Sequence, residues 1–128
     1  MTRVDHVAAV VRDLESARKF FIDAFGFTPG PVNEMQSLGI RSVFMKGENV
    51  EIELIQPVAK GPYWDYLERG PIGFNHVALE VKDLEQAMKR LEKAGVRGEA
   101  PFVAPRGTVM NLDASTTLGM RLQLFKRK

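Results

Sequence analysis

The chain of 128 residues contains no cysteine. Disulfides and thiolate chemistry are therefore excluded, and any bound metal must use nitrogen and oxygen ligands. No apolar run approaches the ~18 residues that a membrane-spanning helix needs, so no membrane partner is expected. The opening residues carry no signal-peptide pattern and enter a strand at once. A cytoplasmic protein is expected. Neither sign of charge dominates: Lys plus Arg is 18 and Asp plus Glu is 16, a net +2. Lys126, Arg127 and Lys128 supply three of the positives, and removing those three from +2 leaves −1 for the rest. The excess is a basic tail rather than a basic face, which argues against nucleic acid as a partner. Histidine is scarce too. There are two, His6 and His76.

Those two histidines sit in a stretch that the chain writes twice. Val4-Asp5-His6-Val7-Ala8-Ala9-Val10-Val11-Arg12-Asp13-Leu14-Glu15-Ser16-Ala17 returns, 70 residues on, as Phe74-Asn75-His76-Val77-Ala78-Leu79-Glu80-Val81-Lys82-Asp83-Leu84-Glu85-Gln86-Ala87. Eight of the 14 positions are identical. The same offset lays Glu51-Ile52-Glu53-Leu54-Ile55 over Arg121-Leu122-Gln123-Leu124-Phe125. Such self-similarity resets the reading of a whole chain.

Each copy reads as βαβββ. Residues 4–11 form the first strand. Asp13 is a good N-cap, and Leu14, Ala17, Phe20, Phe21, Ala24 and Phe25 follow at helical spacing until Gly26 stops the run. In the second copy Asp83 caps, Gln86 stands where a capping box wants Glu or Gln, and Gly95 ends the helix. Three short strands are expected in each copy: near 31–37, 40–46 and 50–56, then near 97–103, 107–112 and 119–125. Gly47-Glu48-Asn49 and Asp113-Ala114-Ser115 mark turns. Module one covers about 3–57 and module two about 73–126. Gly- and Pro-rich residues 58–72 connect them, with room for a short helix at Tyr63–Leu67. Neither half could bury enough surface alone, so one domain over 1–128 is expected.

Alternation along a strand puts His6, Ala8 and Val10 on one face, and His76, Ala78 and Glu80 on the corresponding one. Glu51 and Glu53 share a face, about 7 Å apart along their strand. A lone histidine on an apolar strand is usually a hydrogen-bonded core residue, and Glu53 and Gln123 could be the solvent side of amphipathic strands. Packing, however, gives no reason to keep both histidines at matching places in two diverged copies. Two imidazoles with a carboxylate and an amide oxygen suit a divalent first-row ion: Co, Ni, Zn, Mn or Fe.

The carriers Asp5-His6-Val7-Ala8, Val11-Arg12-Asp13-Leu14, Glu51-Ile52-Glu53-Leu54-Ile55-Gln56-Pro57, Asn75-His76-Val77-Ala78 and Gly119-Met120-Arg121-Leu122-Gln123-Leu124 resemble the vicinal oxygen chelate superfamily. That superfamily includes glyoxalase I, methylmalonyl-CoA epimerase, extradiol dioxygenases and the fosfomycin and bleomycin resistance proteins. The resemblance covers essentially the whole chain and is nearest to the epimerase branch. It implies an α+β fold of two tandem βαβββ modules that make an open, cup-shaped eight-stranded sheet with helices outside. It implies metal ligands at His6, Glu53, His76 and Gln123, a small-molecule substrate, and pairing as a homodimer.

The pattern is broken twice. The family's last ligand is normally Glu, and Gln123 stands there. The epimerases carry a second Glu two residues before a glycine of the third strand. Counted back from Gly39, that place is Ser37. Neither an amide nor a lone hydroxyl replaces a carboxylate base at neutral pH. Glu51 is the favoured substitute beside Glu53, while Glu34 reads as surface charge. The expected function is a glyoxalase- or epimerase-like enzyme, a lyase or isomerase, acting on a small carbonyl or thioester through a metal-stabilised enolate. The alternatives are an Fe(II) extradiol-type dioxygenase using His6, His76 and Glu53, and a resistance-type protein that binds a small molecule without turnover. Tyr63, Trp64, Tyr66, Phe74 and Phe102 could line the pocket of the last, although aromatics are more often core.

Overall fold

The computed structural model describes residues 2–70 and 73–128. Met1 lies outside the described residues, as do Pro71 and Ile72 at the end of the expected connector. Among the described residues the fold class is α+β, with eight strands and three α-helices. In chain order these are β1 (Arg3–Val10), α1 (Leu14–Phe25), β2 (Thr28–Met35), β3 (Ile40–Lys46), β4 (Glu51–Pro57), α2 (Pro62–Arg69), β5 (Gly73–Glu80), α3 (Leu84–Lys93), β6 (Phe102–Ala104), β7 (Gly107–Asn111) and β8 (Leu122–Arg127). The described backbone divides into two compact units: His6–Asn75, and residues 2–5 with His76–Lys128.

In the first unit the strands run β2-β3-β4-β1. β4 is parallel to β1 and antiparallel to β3. α1 starts because Asp13 turns its carboxylate onto the Glu15 N–H, and because Gln56 Oε1 on β4 accepts from Leu14 N at 2.8 Å. It stops at Gly26, which takes φ 72 so that its N–H can reach the Ile22 carbonyl. The apolar side of α1 covers one face of the sheet. Leu14 is fully buried against Ala9, Val43, Met45 and Leu54, and a leucine so placed contributes about 1.5–3 kcal/mol. α2 begins on Pro62, whose missing N–H costs a helix nothing at its first position. It presses Tyr63 onto the opposite face, against Ala8, Ile40 and Ile55.

The second unit repeats the plan in the order β5-β8-β7-β6. Asp83 accepts from Gln86 N at 3.1 Å and starts α3. Met110, Leu112 and Leu124 form its buried core, with Leu84, Ala87, Met88 and Leu91 packed on from the helix. Ala78, Val109 and Phe125 form the cluster on the other face, and Phe102 belongs to it. The first residues of β1 are tied to this unit by Arg127, whose Nε donates to the buried Asp5 carboxylate at 2.6 Å.

Three expectations shift. The strand expected near 31–37 runs 28–35, and Gln36–Leu38 form a 3-10 turn closed by Gly39 at φ 65. Ser37 therefore lies in a turn, because only a left-handed residue lets the chain reverse there into β3. The strand expected near 97–103 shrinks to Phe102–Ala104, with a lone bridge at Gly98–Leu112. The last strand starts at Leu122 rather than 119, because Ala114–Thr116 wind into a 3-10 turn that runs on through Leu118 and Gly119, both at positive φ.

Candidate functional site

Register sets the site. On β1 and β4, Val7, Ala8, Ala9 and Val10 lie opposite Ile52, Glu53, Leu54 and Ile55. On β5 and β8, Val77, Ala78, Leu79 and Glu80 lie opposite Leu122, Gln123, Leu124 and Phe125. Every pair is displaced by the same 70 residues. In each copy the polar residue faces an alanine, and the histidine two places earlier on the strand is its diagonal neighbour on that face. The small alanine leaves the space into which both side chains can lean.

In the first unit that diagonal is a contact. His6 Nε2 stands 3.4 Å from Glu53 Oε1, with the imidazole buried and the carboxylate nearly so. A carboxylate drawn out of water needs a positive partner or its charge becomes costly. Phe44, opposite Glu53 on β3, sets its ring edge-on to His6 with centroids 5.1 Å apart and planes at 89°. It fixes the imidazole plane. Tyr63 completes the wall. Burial pushes its hydroxyl well above the ordinary tyrosine range, and the negative Glu53 adds to that push. Tyr63 is thus a neutral phenol at any pH near neutrality. Glu51 is half-buried, opposite Lys46 on β3 and on the same strand face as Glu53.

In the second unit His76 and Gln123 are both buried. Gln123 lies between Ala78 on β5 and Asn111 on β7. Of the aromatic residues expected around a pocket, Tyr63 adjoins Glu53, whereas Phe102 is core and Phe74 is exposed. Trp64 donates to Glu68 at 2.8 Å and lies under Lys60. Glu34 pairs with Arg41 at 3.5 Å on the surface. Phe44 escaped the sequence reading. The Gly47-Glu48-Asn49 turn would have found it, since a hairpin closed there puts Phe44 opposite Glu53.

Imidazole and carboxylate at this separation, both withdrawn from water, fit the donor set of a divalent cation. His6 and Glu53 could each offer one ligand atom, and a cation would supply the positive charge that the buried carboxylate needs.

Residues 5–109 match the profile of the Glyoxalase/Bleomycin resistance protein/Dioxygenase superfamily. The ethylmalonyl-CoA/methylmalonyl-CoA epimerase of Cereibacter sphaeroides is 35% identical over 97 residues, covering 74% of this chain and 72% of that protein. The mitochondrial methylmalonyl-CoA epimerase of Dictyostelium discoideum is 34% identical over 98 residues, covering 74% of this chain and 58% of that protein. Among solved structures, a hypothetical protein from Bacillus halodurans C-125 superposes with a TM-score of 0.93 at 20% identity, covering 99% of this chain and 95% of its own. That likeness shows the fold alone: the eight-stranded α+β sheet architecture of the vicinal oxygen chelate proteins.

Proposed function

The chain belongs to the Glyoxalase/Bleomycin resistance protein/Dioxygenase superfamily, and from that premise we propose that it is a metal-dependent epimerase-type enzyme acting on an acyl-CoA thioester. The observation that carries the reading is the buried His6–Glu53 pair at 3.4 Å, set on a strand register that the second copy repeats. The thioester substrate class rests on the two epimerase relatives. His6 and Glu53 are ligands we assign to the ion, and on the family's ligand pattern their repeat counterparts His76 and Gln123 are assigned with them. A divalent ion there supplies Lewis-acid polarisation of the thioester carbonyl.

The protein's own groups divide the remaining work. Phe44 and Tyr63 wall the first unit's part of the site with apolar surface and keep water from the polarised bond. Tyr63, neutral and beside Glu53, offers a hydroxyl but no negative charge. Gln123 can orient an oxygen but cannot take a proton. Glu51 is the carboxylate we assign as base, on the face it shares with Glu53. With Ser37 and Gln123 at the two places where the epimerase pattern has Glu, one face of the α-carbon is served better than the other.

The test follows solvent deuterium entering the α-carbon of a branched acyl-CoA thioester. The wild-type protein exchanges slowly with Co²⁺ bound, and Glu51→Gln lowers that rate by about 10²–10⁴-fold. Gln123→Glu restores a carboxylate at equal chain length and raises exchange by about ten- to a thousandfold. No exchange by any variant, with metal bound, overturns the epimerase reading. Oxygen uptake coupled to substrate loss would put a dioxygenase in its place.

A further inference from the structure

Away from these residues the second unit has a cleft of about 820 Å³. It is lined by one side of α3, the end of β5 and the first residues of β1. Arg3, Lys82, Lys89, Arg90 and Lys93 bring five cations to it. Among the described residues none of the five has an ion-pair partner. The two carboxylates of the cleft are engaged elsewhere: Glu80 lies 3.6 Å from Arg127 Nε, and Asp83 holds the Gln86 N–H. Five cations against these two carboxylates leave the surface a net positive charge.

Packing does not require it, and the repeat proves the point. Seventy residues earlier, the same helix side carries Lys19 where α3 has Lys89, Phe20 where it has Arg90, and Asp23 where it has Lys93. In α1 Lys19 is neutralised by Asp23, and Arg18 pairs with Glu15 at 3.6 Å. Both helices use the opposite side for their core, so the difference is confined to the solvent side. One copy closes its charges on themselves; the other leaves them open around a hollow.

We propose that this cleft is a binding site for a soluble organic diphosphate, of the nucleoside diphosphate class. Arg3 and Arg90 offer planar two-pronged donors that match phosphate oxygens, and the three lysines add mobile point charges. Five cations against two occupied carboxylates leave a net charge that a diphosphate complements. The volume lies in the range of small-ligand pockets and exceeds what a bare phosphate fills. Val81, Ala87 and the lysine stems provide apolar surface for the organic part. A concave hollow favours a small ligand over a membrane, which would need a flat basic face. The assignment does not depend on the metal reading.

The experiment titrates ADP calorimetrically into the full chain at low salt. Wild-type protein binds ADP and pyrophosphate but not adenosine, and affinity falls as salt rises. The double variant Arg90→Glu/Lys93→Glu loses about tenfold or more in affinity, and Lys89→Ala/Arg90→Ala, which keeps the helix surface neutral, loses less. Lys19→Glu on α1 and His76→Ala leave ADP binding unchanged. Absence of ADP binding at millimolar concentration overturns the proposal. So does equal affinity in the charge-reversed variant, or loss of binding in His76→Ala. Co-sedimentation with phosphatidylglycerol vesicles that ADP does not compete away would mean a membrane surface instead, and would equally overturn it.

Discussion

The two copies keep several matching backbone hydrogen bonds and put them to different chemistry. The Val11 N–H reaches the Ile55 carbonyl at 2.8 Å, and the Val81 N–H reaches Phe125 at 2.9 Å. The Ala17 N–H and the Ala87 N–H reach Asp13 and Asp83, both at 3.1 Å. Yet Leu14 is fully buried and Leu84 only in part. The first copy has a β2 of eight residues, the second a β6 of three. The first puts a carboxylate opposite its alanine, the second an amide. What stayed constant is the strand register that aims a histidine and a polar residue at one another. What drifted is side-chain charge and depth of burial, which a sheet tolerates as long as its ladder is intact.

The largest effect expected is on metal. If the histidines are equal partners despite that drift, His6→Ala and His76→Ala should each weaken Co²⁺ binding by more than about a hundredfold, beyond the 10–100-fold typical of residues that merely support a ligand. Gln123→Ala should cost less, because a neutral amide oxygen contributes less than an imidazole. Calorimetric titration of the metal-free protein reads all three. Unchanged affinity in both histidine variants would make them core residues and reduce the repeat to a packing relic.

Next comes the core. Leu14→Ala opens a cavity in a site with no exposure and should cost about 2–5 kcal/mol. Leu84→Ala removes the same atoms from a half-covered place and should cost about half as much or less. Urea unfolding of the two variants makes the comparison directly. Equal losses would mean that the two helices are seated equally well, against the difference in burial.

Much of this was legible before any coordinates. The repeat, the two N-capping aspartates and Gly26 were enough for the βαβββ plan, because caps and glycine stops act through neighbours a few residues away. That His6 and Glu53 belong to one site came from the repeat and the family resemblance, while strand periodicity of two gave only the face each takes on its own strand. Phe44 was not counted because its place depends on pairing across a hairpin. Gln56 capping α1 from β4 was invisible, since it joins residues 42 apart. Ser37 was expected in a strand and lies in a 3-10 turn, where the left-handed Gly39 overrides the local pattern. The basic cleft was missed because summing charge over the chain hides where it accumulates.

The smallest expected effect concerns the turns before the last strand of each copy. In the first copy the Gly47–Val50 turn is closed by one backbone bond, Gly47 N to Val50 O at 2.9 Å. In the second, Asp113 organises the reversal. Its carboxylate accepts from Arg97 Nη2 at 2.9 Å, from Ser115 Oγ at 2.7 Å and from Ser115 N at 3.0 Å. Arg97 first, and then the Ser115 hydroxyl and N–H, lower the carboxyl from the ordinary 3.8 to about 2. A carboxyl lowered on folding stabilises the fold fully above its unfolded value, and that contribution is lost as pH falls through the folded one. The window is therefore pH 4 down to 2, and the effect is small because the group is exposed and screened by water and salt. Asp113→Asn keeps an oxygen acceptor but has no charge to titrate. Its melting temperature should lie slightly below that of the wild type above pH 4, and the gap should close between pH 4 and 2. A gap that stayed constant down to pH 2 would mean that Asp113 acts through hydrogen bonds alone, and that the two turns differ in shape rather than in charge.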